Sequence, residues 1–321
     1  MFTYLTGRLV QSVTVLTVMS FAIYWLMGLM PGDPIDLMIS ANPELTSEDS
    51  SRLRALHGLD VPVVERYWNW LTAALGGDLG FSRLHAKPVL GVIIPALGNT
   101  VILLGSSFVG SILIAIPMGV FAAARQNTRL DYAINLFSFL AISVPSFWLA
   151  LLMITLFSVT LGLLPAGGTE TIGVDSLADK AKFLLLPVAT LTLLSLGSQA
   201  RFTRAEMIQI LRQDYIRTAR AKGVPESGVI FRHALRNAFI PVVTIIALDF
   251  GYLFSGALTI EIVFAFPGMG KLIFDAIMGN DFNLAMVALL FATTMTLAGN
   301  LIADLAYCAL DPRITYGTRA P

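Results

Sequence analysis

Cysteine is nearly absent from this 321-residue chain, and charge is scarce. Its single cysteine, Cys308, excludes an intrachain disulfide and any multi-cysteine metal cluster. Within an apolar segment a lone cysteine reads as a small packing residue. Charged residues make up 13% of the chain, where a soluble domain carries roughly 25%. The 21 basic residues balance the 21 acidic ones, so bulk attraction to nucleic acid is not implied. The three histidines (His57, His85 and His233) are scattered, with no paired spacing on one helix that would suit a metal. A phosphate loop is missing too. Phe266-Pro267-Gly268-Met269-Gly270-Lys271 resembles one faintly, but Ala265 stands where the first glycine belongs and Leu272 where Ser or Thr belongs. These residues read instead as a tight turn leading into a short interfacial helix, and the chain is expected to carry no ATPase of its own. No cofactor is called for.

What the chain has in abundance is apolar length. It is 56% hydrophobic, with mean hydropathy +0.75. At about 20 apolar residues per crossing, the segments Val10 to Pro31, Pro88 to Ala124, Tyr132 to Gly168, Asn237 to Ile260 and Phe282 to Ala303 are long enough to span a bilayer. Phe183 to Ala200 is borderline at 18 residues. Tyr132 to Gly168 is uncharged throughout and is expected to hold one span plus interfacial turns. The first segment is too long for a signal-peptide core and lacks a small-x-small cleavage site, so it reads as a retained anchor. The expectation is an all-α membrane protein with six transmembrane helices.

The charges orient those helices. With both termini cytoplasmic, the inner segments carry 13 Lys/Arg and the much longer outer ones 8, which is the bias the positive-inside rule asks for. The richest inner stretch, Arg201 to Arg236, holds eight basic residues against three acidic. Within it Asp214 to Gly223 reads as one short helix stopped by its glycine. The outer segment Gly32 to Lys87 reads as structured. Val64, Tyr67, Trp68, Leu71 and Leu75 share a helical face, with Pro62 at its start and Gly76-Gly77 at its stop. Thr46 and Asp49 resemble a capping box for a shorter helix before it. The longer helix would rest on the membrane or the spans, serve as a platform for an external partner, or do both.

Polar stripes run along the spans. Thr293, Thr296, Asn300, Asp304 and Tyr307 fall within about 80° at 100° per residue, as do Asp249, Tyr252, Gly256 and Thr259. Asn99, Ser106 and Gly110 align on the second span, and Thr192, Ser195 and Gln199 on the fourth. Such stripes either glue helices together or line a solute pathway. Asp249, about halfway along its span, reads as functional, because a carboxylate at mid-bilayer costs about 2.5–3.5 kcal/mol on insertion scales. Asp304, nearer the inner end, also suits an interfacial partner. The candidate pathway residues are Asn99, Ser106, Gln199, Asp249, Tyr252, Asn300 and Asp304. No Ser/His/Asp set falls at one membrane depth, which disfavours an intramembrane hydrolase. Nor is there an inverted repeat of the kind a secondary transporter or channel often shows.

Three local patterns carry a resemblance. One is Pro31-Gly32-Asp33-Pro34 after the first span. The second is Arg217-Thr218-Ala219-Arg220-Ala221-Lys222-Gly223 followed by His233 to Pro241. The third is Phe266-Pro267-Gly268-Met269-Gly270 with a terminal Leu310-Asp311-Pro312-Arg313-Ile314. From Arg8 to Ile314 the chain resembles membrane permease subunits of binding-protein-dependent ABC importers, in the dipeptide/oligopeptide/nickel branch. Where the general signature carries Ile, Leu and Pro, this chain has His233, Leu235 and Arg236, with the proline displaced to Pro241.

The resemblance implies a type I ABC importer permease architecture in a bacterial inner membrane. Residues 1–94 would be the first span plus the outer helical segment, and 95–314 the core permease domain, with a coupling helix at about 214–223. Tyr215, Arg217, Thr218, Ala219, Arg220, Ala221, Lys222 and Gly223 would contact a cytoplasmic ATPase. The implied partners are a homologous second permease, two ATPase subunits, an extracytoplasmic solute-binding protein and membrane lipid. Peptides are the implied solute, with nickel chelates or other small polar solutes as alternatives.

Overall fold

The computed structural model describes residues 2–29, 61–239, 241–242 and 257–310. The motif at 31–34, Thr46, Asp49, His57, Asp249, Tyr252, Gly256 and the terminal 311–314 lie outside the described residues, as do the side chains of Tyr307 and Cys308. Helices dominate: α1 (Phe2–Met27), α2 (Val63–Leu75), α3 (Val89–Ala124), α4 (Arg129–Ser143), α5 (Ser146–Met153, continued as a π-helix over Ile154–Thr160), α6 (Leu177–Leu211), α7 (Asp214–Ala221), α8 (Glu226–Gly228, followed by a π turn over Val229–Ala234), α9 (Met269–Met278) and α10 (Phe282–Leu310). The strands β1 (Phe81–Ser82) and β2 (Lys87–Pro88) pair antiparallel, with Phe81 opposite Pro88.

Among the described residues four helices are long and apolar enough to cross a bilayer: Thr6–Met27, Val89–Ala124, Leu177–Leu211 and Phe282–Ile302. The expected single span within Tyr132–Gly168 is broken. Arg129–Ser143 and Ser146–Thr160 meet at 106°, and together they make one span at most. Each arm is 15 residues, about 22 Å at 1.5 Å per residue, short of the roughly 30 Å hydrocarbon core. Pro145 causes the stop. It supplies no N–H to α4, and it holds Val144 extended at ψ 127°. The borderline segment Phe183–Ala200 is the middle of α6, whose 35 residues reach about 52 Å, longer than a bilayer core is thick. Arg201 to Leu211 therefore continue that helix, and only the remainder of the basic stretch departs from it. The expected span Asn237–Ile260 lies mostly outside the described residues.

The chain divides into two compact units, Met1–Gly98 with Gly268–Leu297, and Asn99–Pro267 with Ala298–Pro321. In the first, α2 lies against α1. Tyr67 is buried, with its ring 5.1 Å from Phe21 and 5.6 Å from Tyr24 and its hydroxyl 2.6 Å from the Ser20 hydroxyl. The face packed inward is Tyr67, Trp70, Leu71 and Ala74. Val64, Trp68 and Leu75, expected on that same face, form an exposed apolar flank beside it. The first unit's core joins Ile23, Val89, Ile93, Ile273 and Leu284. Asp281, 2% exposed, closes it against the hairpin. Its carboxylate accepts from the Ser82 hydroxyl at 2.6 Å, the Leu84 N–H at 3.0 Å and the Leu284 N–H at 3.2 Å. The last of these caps the start of α10.

The second unit is built on close approach. A Cβ on Gly119 of α3 would sit 2.5 Å from the Thr203 Cβ and 2.7 Å from the Ala200 carbonyl oxygen of α6. A Cβ on Gly197 would sit 2.5 Å from the Ser138 carbonyl oxygen of α4. Higher on the same seam Thr192 donates to the Ser107 carbonyl at 3.3 Å. Small residues at such seams let helices pack in lipid, where no hydrophobic force distinguishes protein from solvent. Gly119→Val should therefore push α6 from α3, and we expect a loss of about 1–3 kcal/mol or more, as for other overpacked cores. The readout is the midpoint of thermal unfolding in detergent, and an unchanged midpoint rejects the seam.

Candidate functional site

The helical stretch Leu177–Leu211 runs on through Pro187 to Arg212 and Gln213, where the chain turns and α7 begins. This eight-residue helix has two faces. Ile216, fully buried, and Ala219, 8% exposed, sit in a cluster with Val120, Met207, Leu211 and Val229. Tyr215, Arg217, Thr218, Arg220, Ala221 and Lys222 are exposed. An isolated helix of this length would not hold in water, so the buried pair on the ends of α3 and α6 supplies its stability.

Its C-terminus is locked as well. The Gly223 N–H donates to the Arg220 carbonyl at 3.0 Å, and the Val224 N–H to the Ala219 carbonyl at 3.2 Å. That is the paired bonding of a Schellman motif, with Val224 returning to the cluster. It requires a left-handed residue, and Gly223 has φ +79°. The expected stop at Gly223 is thus observed.

The basic face is more nearly neutral than its sequence suggests. Arg217 bonds Asp214 one turn back. Arg220 grips Glu226 bidentately, at 3.1 and 2.6 Å. Hydrogen bonding from Arg220 holds the Glu226 carboxyl below its usual range, and Glu226 in turn raises Arg220. Both partners are largely exposed, so the pair contributes little stability. It orients the guanidinium and ties α7 to α8. Beside it Tyr215 (44% exposed) and Phe231 (53%) present aromatic surface. Phe231 gave no sequence signal, since the π turn that exposes it follows no simple period.

A second feature also escaped sequence reasoning. Asp131, at the start of α4, is 2% exposed and takes Arg204 of α6 in a fork, Nε at 2.6 Å and Nη2 at 2.7 Å. Its remaining acceptor capacity goes to the Asn127 N–H and the Asn135 amide, at 3.0 and 2.8 Å. Arg201, one turn earlier, lies 4.1 Å over the Phe139 ring. Together these fasten α4 to the stretch of α6 that leads into α7. At the opposite end of this unit, Glu261 is fully buried and accepts from the Thr100 hydroxyl at 2.6 Å. The Phe264 carbonyl receives the Gly168 N–H at 2.9 Å. The tight turn expected at 266–270 falls slightly earlier, at Phe264 and Ala265, and the short helix expected after it is α9, which starts at Met269.

The pathway candidates are not assembled into one hydrogen-bonded set among the described residues. Asn99 donates to the Pro267 carbonyl at 2.9 Å. Ser106 and Asn300 are exposed, and Asp304 is half-buried. Gln199 is 1% exposed, and among the described residues neither polar atom of its amide has a partner. Thr293 and Thr296 turn their hydroxyls back to the Leu289 and Ala292 carbonyls of their own helix. Among the described residues no group of histidine, cysteine and acidic side chains could hold a metal.

Two family models match the chain. Residues 115–316 match the binding-protein-dependent transport system inner membrane component, and residues 1–104 its N-terminal counterpart. The oligopeptide transport system permease protein AppB of Bacillus subtilis is 37% identical, covering 98% of this chain and 99% of its own length. A putative peptide permease protein of Brucella suis is 39% identical over 98% and 99%. The glutathione transport system permease protein GsiC of Escherichia coli is 35% identical over 98% and 100%. Among solved structures, an inward-facing form of the MetNI methionine ABC transporter superposes with TM-score 0.59 at 16% identity, covering 70% of this chain and 98% of that one. That likeness concerns the fold, which is the type I importer permease fold. With several apolar helices crossing a membrane and both family models accounting for nearly its whole length, the chain belongs to the family of binding-protein-dependent transport system inner membrane components.

Proposed function

We propose that this chain is the permease subunit of an ATP-driven peptide importer, one half of the translocation pathway beside a homologous permease. Two cytoplasmic ATPases drive it, and an extracytoplasmic binding protein delivers the solute. The observation that carries the coupling role is α7. It is short and exposed, and it is locked by Ile216, Ala219 and the Gly223 turn onto the ends of α3 and α6. A push on Tyr215, Arg217, Thr218, Arg220, Ala221 and Lys222 is then delivered to two long helices rather than dissipated in a loop. ATP-driven closure of the partners biases a two-state equilibrium of the spans. The relatives named for oligopeptides, peptides and glutathione support a peptide as solute. The family is one of transport components, so hydrolysis belongs to the partner ATPases.

The charge asymmetry supports a cytoplasmic position for both termini. Asp249 is assigned to the pathway, where it meets a positive group such as a peptide's amino terminus, and Gln199, Asn300 and Asp304 are assigned to the same route. Reconstitution with the partner subunits tests the solute. ATP-dependent uptake of a labelled peptide is expected, and uptake reduced in Asp249→Asn with the complex and its basal ATPase intact. Unchanged uptake of every cationic and zwitterionic peptide removes Asp249 from the pathway. Cysteines introduced at Ser50 and Ser227 in a Cys308→Ala background should react with an impermeant reagent from opposite sides. Labelling of both from one side overturns the topology.

A further inference from the structure

Within the first unit, α1, α2 and α10 enclose a cavity of about 380 Å³. Its walls are Leu16 and Ser20 of α1, Tyr67, Leu71 and Ala74 of α2, and Leu290 and Phe291 of α10, with Val287 and Thr294 at its limits along α10. From Val287 to Thr294 it follows about 10 Å of helix. Two of the three walls belong to helices long and apolar enough to cross a bilayer.

Its chemistry favours an apolar guest. The Thr17 hydroxyl bonds the Val13 carbonyl at 2.9 Å, and the Thr294 hydroxyl bonds the Leu290 carbonyl at 2.8 Å. Ser20 donates to the Thr17 carbonyl at 2.8 Å and pairs with the Tyr67 hydroxyl. The hydroxyl protons of Thr17, Ser20 and Thr294 are thus already committed, and the remaining lining is mostly apolar. One cation stands near. Arg66 precedes Trp70 by one helical turn and shares its face, and the Trp70 ring lies 5.9 Å from that of Tyr24. The Arg66 Nε is buried and has no hydrogen-bond partner among the described residues. A guanidinium one helical turn from the cavity lining at Trp70 is complementary to a phosphate carrying a hydrocarbon chain.

We propose that this cavity is a phospholipid site, taking one acyl chain between α2 and α10 and drawing that lipid's phosphate to the Arg66 guanidinium. The lipid would act as a wedge that holds α2 on the spans, and α2's exposed flank of Val64, Trp68 and Leu75 would lie in the same lipid layer.

The test uses the full chain in vesicles containing a small fraction of phosphatidylglycerol with a diazirine in its acyl chain. Adducts are mapped by mass spectrometry after illumination. Labelling is expected to concentrate on peptides holding Leu71, Ala74, Leu290 and Phe291, above the level at Val109 and Leu113, which are exposed on α3. Ala74→Trp should remove most of the labelling at Leu290 and Phe291 while leaving Leu113 unchanged, and Leu290→Trp should do the same at Leu71. Arg66→Gln should lower cavity labelling about fivefold, the attraction of one basic residue for an anionic lipid, and Arg66→Lys should restore much of it. Labelling no denser in the cavity than at Leu113 overturns the proposal, as does cavity labelling that survives both tryptophans. Labelling lost with the tryptophans but indifferent to Arg66 overturns the phosphate contact.

Discussion

Gly223→Val is expected to abolish ATP-driven uptake while the chain still inserts in the membrane. The reason is conformational rather than steric. A Cβ at this position meets nothing within 4 Å, but the backbone sits at φ +79°. A β-branched residue there is strained by on the order of 1–3 kcal/mol, enough to open the turn that closes α7 onto its cluster. With Gly223 and Val224 no longer bonded to Arg220 and Ala219, the exposed face of α7 loses its fixed position over α3 and α6. Gly223→Asn is the control, because asparagine visits the left-handed region more readily, and it should keep a large part of the uptake. Both variants are compared for uptake and for stimulation of the partner ATPases by substrate-loaded binding protein. If the Val variant retains full uptake and full stimulation, α7 is not the coupling element.

The largest stability effect is expected at Asp131 and Arg204. Replacing Arg204 by Leu leaves a 2%-exposed carboxylate without its guanidinium, and breaking one partner of a buried pair costs about 3–5 kcal/mol. The double variant Asp131→Leu, Arg204→Leu should recover most of that loss. A buried ion pair gives back in attraction little more than its desolvation takes, and apolar residues of similar volume often replace it without penalty. The measurement is the thermal midpoint in one detergent for the wild type, each single variant and the double. Additive losses would mean that the two side chains do not act as a pair. Uptake by the double variant then asks a separate question. The fork ties α4 to the part of α6 that leads into α7, so a stable but slow double variant would place it in the coupling route.

Some of this was legible without coordinates. Apolar length announced the spans, because a bilayer sets a residue count that no fold can evade. The 3.6-residue period announced α2, and Pro62 and Gly76 bracketed it. The helix at 214–221 was visible from its polarity and from one glycine, since a left-handed stop is a local demand on one residue. The interruption at Pro145 had a local cause, a missing N–H, but from sequence the segment was expected to be one span.

Other features had no local signature. The 106° angle at that proline follows from what α5 packs against, and the proline itself specifies only a stop. Which flank of α2 turns inward was ambiguous, because Trp68 and Trp70 are equally apolar and only the presence of Ser20 and Tyr24 on α1 decides between them. Arg204 and Asp131 are 73 residues apart, and each reads alone as an ordinary charge near a membrane boundary. Sequence by itself determined the parts that depend on solvent and on single backbone positions: the membrane class, the helices and the glycine stop. Tertiary structure decided everything that needs two distant side chains in one place: the buried fork, the glycine seams and the cavity between α2 and α10. Such contacts gain their energy from removing water or lipid between surfaces, and that gain exists only once the chain has brought them together.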